Sequence, residues 1–229
     1  FYRDRLYIND GLGNYYRDKN FVDSSGLSGK VVKEIDLDDD GDLDLIVGNR
    51  MIPHHYPLSS SAKILLNENG IFKNITEEIS IGFREFGIIN DIEVTDFNHD
   101  GKDDFIVVGE WTKVGMFTSV EGKFQDVSVS YGLDNELGWW FSITSADING
   151  DGLLDIFVTD MLPEPPTRLK QVTTFESWDK YQFNKTHGYH YQFSRNMLHL
   201  NNGDGTFTEV GEETGTNISM DGMSTTIGD

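Results

Sequence analysis

The sequence predicts an all-β protein, a β-propeller built of four-stranded antiparallel blades. Two repeating elements support this prediction: a nine-residue acidic loop that begins at Asp36, Asp96 and Asp147, and an apolar hairpin closed by an aromatic residue. Both elements recur with a shared period of about fifty residues, and internal periods of this length are typical of repeat folds. Four strands in such a unit, repeated along the chain, are the pattern of propeller blades.

The acidic loop lies between two strand-like segments in each of its three copies. The copies read DLDDDGDLD at 36–44, DFNHDGKDD at 96–104 and DINGDGLLD at 147–155. A β-type apolar run follows each copy at once, as at Leu45–Gly48. Because such runs favour strands, each copy predicts a strand, an acidic loop and a second strand.

The second repeating element joins an apolar strand, a turn of Asn and Gly, and a return strand that an aromatic residue opens. Its copies lie at 6–15, 64–72, 116–124 and 198–207. Asn and Gly tolerate the positive φ that tight hairpin turns require. Each copy therefore predicts a β-hairpin.

The two elements together divide the chain 1–229, a partial β-propeller, into repeats. The predicted blades are 1–30, 31–80, 81–130 and 131–215, with the start of a further one at 216–229. The fourth hairpin comes later than the period requires, and the surplus falls in an insertion at 161–195. We expect the chain to begin inside one repeat and stop at the first ligand of another, as a fragment of a longer propeller.

The acidic loops offer hard oxygen ligands in the number that Ca²⁺ prefers, six to eight. These would come from side chains at loop positions 1, 3, 5 and 9 and from the carbonyl at position 7. The predicted ligands are Asp36, Asp38, Asp40, Asp42 and Asp44 in the first loop, Asp96, Asn98, Asp100, Lys102 and Asp104 in the second, and Asp147, Asn149, Asp151, Leu153 and Asp155 in the third. The sequence thus predicts about three calcium sites, with Asp42 turning its side chain outward.

An EF-hand loop begins with the same spacing of acids but requires a Glu at position 12 and flanking helices. Position 12 here is Val47, Val107 and Val158, each inside a β-type run. The three loops therefore belong to a sheet protein.

Charge and composition exclude several classes of function. The formal net charge is -21, which opposes binding to nucleic acids and to anionic membrane surfaces. No apolar run approaches the roughly 20 residues needed to span a bilayer, and the chain has no cysteine. Calcium sites of moderate affinity fill where calcium is plentiful, outside the cell, so we expect an exported protein.

At these residues the chain resembles the FG-GAP/VCBS repeat family, the calcium-bearing propellers also found in integrin α-subunits. The three loops and the hairpin NNGDGTF at 201–207 carry the resemblance. It implies a propeller of about seven blades, of which this chain would supply three to four. The stretch from Thr159–Glu164 through Tyr189–Leu198 is similar to large bacterial members with ASPIC/UnbV-type domains, which implies a surface-associated, outer-membrane lipoprotein.

The sequence contains no nucleophile elbow, zinc-protease helix or phosphate-binding glycine loop, so we expect no enzyme activity. The favoured function is a calcium-stabilised extracellular binding or scaffold module, in adhesion or as a subunit of a surface complex with a protein partner. The alternatives are a glycan-binding component of a polysaccharide-uptake system and a non-catalytic part of a larger hydrolase.

The insertion and one aromatic strand hold the candidate contact residues. Aromatic and basic side chains, which are enriched at interfaces, crowd the insertion. The candidates for contact with a partner or ligand are Phe175, Trp178, Tyr181, Tyr189 and Tyr191. A cover over a neighbouring blade is the alternative role of the insertion. The run Gly138–Phe141 is expected to pack between blades rather than against a sugar.

Overall fold

The computed structural model describes residues 4–19, 21, 28–38, 40–134, 137–161, 186–187, 192–193, 195–217 and 224–226. These residues form strands joined by short loops and three single-turn helices. The strands are β1 (Tyr7–Asn9), β2 (Tyr15–Arg17), β3 (Gly29–Ile35), β4 (Asp44–Asn49), β5 (Lys63–Glu68), β6 (Ile71–Asn74), β7 (Ile88–Thr95), β8 (Asp104–Thr112), β9 (Gly115–Val120), β10 (Lys123–Asp126), β11 (Leu137–Ala146), β12 (Asp155–Asp160), β13 (Gln192–Phe193), β14 (Met197–Asn201) and β15 (Phe207–Glu209). The helices are α1 (Thr76–Ile79), α2 (Ile81–Arg84) and α3 (Gly211–Thr214).

Twelve of the strands form three antiparallel meanders of four strands each. The first meander is β3–β4–β5–β6, the second is β7–β8–β9–β10, and the third is β11–β12–β14–β15. Strands β1 and β2 form a separate antiparallel hairpin. The prediction of an antiparallel β protein is confirmed except for the short parallel pairing of β13 with β11 and the three single-turn helices, and the arrangement is consistent with part of a β-propeller.

The first strands of the three meanders lie side by side, because β7 contacts both β3 and β11. Strand β11 also reaches across to the second meander. Its residues Gly138 and Trp139 pair with Thr112 and Glu110 of β8, and its later residues pair with β12. The second and third meanders therefore share one continuous sheet.

Two apolar clusters fill the spaces between meanders. Successive side chains of a strand point to opposite faces, and β8 supplies both clusters in this way. Phe105 and Val107 pack into the cluster shared with the first meander, whereas Ile106 and Val108 pack into the one shared with the third. Trp140 is fully buried in the second cluster and donates its indole N–H to the carbonyl of Thr112 at 2.8 Å.

The helices are single turns in the connections that leave the fourth strand of a meander. Their sequences lack the periodic apolar stripe that predicts a helix, so the sequence reasoning missed them. Within the described ranges, no helix is long and apolar enough to cross a bilayer. Position 12, where an EF-hand loop has a Glu, lies buried in a strand in every copy, as Val47 in β4, Val107 in β8 and Val158 in β12. This agrees with the prediction that the loops belong to a sheet protein.

Candidate metal centres

Each acidic loop connects the first and second strands of one meander. The loops therefore follow β3, β7 and β11 and lie at the same end of their meanders. Glycine at loop position 6 has a φ of 85° or 86° in all three copies, which a side chain with a Cβ adopts only at a cost. This turn folds the acids of positions 1, 3 and 5 back toward one another.

The first loop brings three carboxylates together. Asp36, Asp38 and Asp40 each have an oxygen within 4.8 Å of the others. The loss of hydration within the loop, followed by the charges of Asp40, Asp44 and Asp36, raises the pKa of Asp38. An oxygen of Asp36 (Oδ1) is buried without a hydrogen-bond partner among the described residues. The loop concentrates negative charge that its own atoms leave uncompensated.

The second and third loops carry Asn at position 3. In both loops, backbone N–H groups of the loop hold the Asp side chain at position 1. In the second loop, the carboxylate of Asp96 accepts hydrogen bonds from the N–H groups of Asp100 and Gly101 at 3.0 and 2.9 Å. In the third, Asp147 accepts from Asp151 and Gly152 at 3.0 and 2.9 Å. The repeated pattern gives the oxygens of both loops the same arrangement.

The amide of the position 3 Asn also binds the carboxylate at position 5. Asn98 donates to Asp100 at 3.2 Å, and Asn149 donates to Asp151 at 2.9 Å. A neutral residue here removes one of the crowded charges and adds a hydrogen bond. The first loop, with Asp38 at this position, lacks both effects.

The last acid of each loop is fully buried and fastens the loop to the third strand of its meander. Asp44, Asp104 and Asp155 have no exposed surface, and each opens the second strand. Their Oδ1 atoms accept hydrogen bonds from the N–H groups of Asn67, Ser119 and Asn201 at 2.6, 2.9 and 2.9 Å, respectively. The position 9 acid therefore joins the acidic loop to the hairpin.

The second oxygen of this acid differs among the copies. Oδ2 of Asp44 accepts from the N–H of Leu37 at 2.8 Å, and Oδ2 of Asp155 accepts from Ile148 at 2.9 Å. Oδ2 of Asp104 is buried and has no hydrogen-bond partner in the described part of the chain. Burial, reinforced by the charges of Asp100 and Asp96, raises the pKa of Asp104 to about 6.

Sequence reasoning found the loops and the hairpins but missed the residues that connect them. The side-chain amides of Asn67 and Asn201 donate to the carbonyls of Leu43 and Leu154 at 3.1 and 3.3 Å. The signal was present as a Leu-Asn pair at or near the end of each of these hairpin strands. Its meaning depends on a contact more than twenty residues away in sequence, so local patterns alone do not reveal it.

One expectation about the first loop was wrong. The side chain of Asp42, which alternation placed outward, turns toward the hairpin instead. Its Oδ2 accepts the N–H of Asn69 at 3.3 Å, and its Oδ1 is buried without a hydrogen-bond partner among the described residues. The hairpin tip packs over the loop and so covers this carboxylate.

These observations fit a calcium ion. A hard divalent cation prefers sites that offer only oxygen ligands. It would also offset the repulsion between carboxylates in close contact and interact with buried carboxylate oxygens that lack a hydrogen-bond partner. The first loop meets all three conditions, through Asp36, Asp38, Asp40 and Asp42. The second loop contributes the buried Oδ2 of Asp104.

The five residues predicted to contact a partner all belong to the insertion at 161–195. Phe175, Trp178, Tyr181, Tyr189 and Tyr191 lie outside the described residues. The same holds for most of the insertion. In the aromatic run Gly138–Phe141, Trp140 packs between meanders as expected, whereas Trp139 lies half-buried beside Trp111.

Comparisons with known proteins agree with the repeat pattern. A family described as FG-GAP-like repeat matches residues 36–107 and 96–158, together more than half of the chain. A search of curated proteins gave no match. Among solved structures, the chain is similar to an Agrocybe aegerita lectin studied for its specific recognition of non-reducing terminal N-acetylglucosamine. The two are 16% identical with a TM-score of 0.43, over 95% of this chain and 47% of the lectin, so this chain spans about half the lectin's length.

Proposed function

Since the chain belongs to the FG-GAP-like repeat family, we propose that it is a calcium-stabilised β-propeller module that binds a partner on the outside of a cell. Its described meanders would be blades of a propeller of about seven, of which this chain supplies three to four. The observation that carries the proposal is the repeated acidic loop, fastened in every copy to the hairpin of its own meander by a fully buried Asp.

Each of the three loops would hold one Ca²⁺. The acids and Asn at positions 1, 3 and 5, the carbonyl at position 7 and the acid at position 9 supply the oxygens that such an ion needs. Mg²⁺ suits these loops less well, because it keeps several waters and binds few carboxylates. An ion in the first loop would offset the repulsion among Asp36, Asp38 and Asp40.

Calcium in these loops would act mainly on stability. An ion that binds the folded chain and not the unfolded chain adds its binding free energy to folding, about 2.7 kcal/mol per site at a concentration one hundred times its Kd. The chain has no cysteine and so no disulfide bonds to do this. Because the position 9 acid joins loop and hairpin, an ion bound there would hold three strands of each meander.

The proposed location follows from this dependence on calcium. Sites of moderate affinity would be filled outside the cell, which favours an exported, surface-associated protein. We propose a role in adhesion or as a subunit of a surface complex, by binding rather than by catalysis. The net charge of -21 disfavours anionic partners such as nucleic acids.

The test is thermal unfolding of the purified chain in millimolar Ca²⁺, in Mg²⁺ and in EGTA. We expect a large rise in Tm with Ca²⁺ and little rise with Mg²⁺. The double variant Asp36→Asn/Asp40→Asn should lose about one third of the calcium effect, since it disables one of three similar sites.

The matched control is Glu212→Gln/Glu213→Gln, which removes two charges from the exposed residues of α3. It should keep the full response to calcium. Equal Tm values of the unaltered chain in all three media would contradict the proposal. An equal loss of the calcium response in both double variants would show a general effect of charge and would contradict it too.

A further inference from the structure

The end of the meanders opposite the acidic loops holds a group of polar and aromatic side chains, which we call the junction cluster. It consists of Arg50, Tyr56, Glu110, Trp111 and Trp139. Arg50 and Tyr56 follow β4, Glu110 and Trp111 lie near the end of β8, and Trp139 lies near the start of β11. All three meanders therefore contribute to it.

A β-bulge places Trp111 at the surface. Glu110 pairs with Trp139 and Thr112 pairs with Gly138, so Trp111 is an extra residue in β8. Its φ is 62°, a region that a bulky side chain rarely adopts. Bulges often re-aim a side chain beside a functional site, and retained backbone strain is a reason to look for function there.

The bulge presents the indole of Trp111 as part of an aromatic platform. Its ring stacks on that of Trp139, with centroids 5.6 Å apart and an angle of 29° between the planes. Its Nε1 donates to the hydroxyl of Tyr56 at 2.9 Å, which fixes the ring in the plane of the platform. The residue remains 37% exposed, so part of the platform faces solvent.

Beside the platform lies an ion pair of which only the carboxylate is buried. The carboxylate oxygen Oε1 of Glu110 accepts from Nη2 and Nε of Arg50 at 2.9 and 3.2 Å. The Glu110 side chain is fully buried, whereas 39% of the Arg50 side chain is exposed. Part of the Arg50 side chain is therefore accessible beside the platform, and its contact with Glu110 fixes the orientation of the guanidinium. Within the described residues, Nε1 of Trp139 is buried without an acceptor.

We propose that the junction cluster binds a neutral sugar residue of a glycan. A sugar ring offers an apolar C–H face for the indole platform and hydroxyl groups for the fixed donors and acceptors at its edge. Apolar lining with a few oriented polar groups is the usual composition of small-ligand sites. The inference names the ligand class of the binding module proposed above and so depends on that proposal.

The charges of the site favour a neutral ligand over a charged one. Arg50 already neutralises Glu110, so a cation would gain little from this carboxylate. An anion would meet the overall charge of -21. A purely apolar ligand would cover the guanidinium of Arg50 without giving its donors a partner, which costs free energy.

The test uses the full chain in Ca²⁺ on an array of neutral, anionic and amino-sugar glycans, followed by calorimetric titration of the strongest neutral ligand and of free arginine. Trp111→Gly removes the platform, and glycine accepts the positive φ, so this variant should fold. Glu110→Gln weakens the hold on Arg50. Tyr15→Ala is the control, because Tyr15 is an exposed aromatic on the separate β1–β2 hairpin.

We expect a neutral glycan to bind and Trp111→Gly to weaken its binding about tenfold or more, because the apolar contact with the indole is lost. Glu110→Gln should also weaken it, while Tyr15→Ala should change the affinity by less than about twofold. No neutral ligand on the array, a preference for arginine or anionic glycans, or unaltered binding by Trp111→Gly would overturn the inference. The calcium-dependent Tm of the same variants separates this failure from failure of the calcium sites.

Discussion

In the proposed calcium loops, the residue at position 3 would decide how strongly the stability of the loop depends on the ion. Asp38 occupies this position in the first loop, and Asn98 and Asn149 occupy it in the others. The Asn side chains donate to the neighbouring carboxylates Asp100 and Asp151, whereas the loss of hydration, followed by the charges of nearby carboxylates, raises the pKa of Asp38. A third carboxylate among loop positions 1, 3 and 5 strengthens the attraction to a cation and destabilises the loop when no cation is bound.

Asp38→Asn should therefore have opposite effects with and without calcium. In EGTA we expect a higher Tm than that of the unaltered chain, because one repulsive charge is gone and the new amide can donate to Asp40. In Ca²⁺ we expect a smaller rise in Tm. The measurement is thermal unfolding in both media, with Glu78→Gln, an exposed residue of α1, as the control. A lower Tm in EGTA would contradict this account of the loop.

His199, on β14, gives the chain a pH dependence unrelated to metal. Burial lowers its pKa from 6.5 to about 4, so the folded chain holds it neutral. Below pH 6.5 the unfolded chain binds a proton that the folded chain does not. Stability is therefore complete above pH 6.5 and is lost as the pH falls toward 4, by about 2 kcal/mol between pH 7 and pH 5.

Urea unfolding of the unaltered chain and of His199→Gln at pH 7 and pH 5 tests this contribution. Both proteins contain the same carboxylates, so the difference between them isolates the histidine. We expect the unaltered chain to lose about 2 kcal/mol more than the variant over this interval. Equal losses would show that His199 titrates alike in the folded and unfolded chains.

At the level of elements, β11 joins two meanders, and its close packing depends on Gly138. The strand pairs with β8 through its first residues and with β12 through the rest. A Cβ built on Gly138 would lie 2.2 Å from the ring of Trp140, whose indole is fully buried. The absent side chain at Gly138 lets Trp140 fill the space between the second and third meanders.

Gly138→Ala should therefore destabilise the chain by about 1–3 kcal/mol, the usual cost of overpacking a core. Gly82→Ala is the matched control, because a Cβ there meets its nearest atom, in Phe117, at 3.7 Å. Urea unfolding in Ca²⁺ gives both values. A Gly138→Ala variant as stable as Gly82→Ala would mean that Trp140 can move aside at no cost.

For the whole molecule, the sequence predicted the features that repeat along the chain but not those that depend on contacts between distant segments. The spacing of the acids and of the Asn-Gly turns gave strands, loops and hairpins, because these depend on neighbours in the chain. Distant segments are joined by the hydrogen bond from the N–H of Asn67 to Asp44, by the contact of Asp42 with the hairpin and by the pairing of β11 with β8. The sequence did not predict the junction cluster for the same reason, since its residues come from three meanders and a bulge exposes Trp111.

The two ends of β8 lie at two different features, the second acidic loop and the junction cluster. Asp104 opens the strand at the acidic loop, and Glu110 lies six residues further, about 20 Å away at the rise of a strand. Substitutions this far apart that share no partner combine almost independently in their effects on stability. If the proposed sites are occupied, substitutions in the junction cluster would change its ligand, while ions bound in the loops at the other end would still hold the strands of each meander. Such a separation would let one scaffold change its ligand without a matching loss of stability.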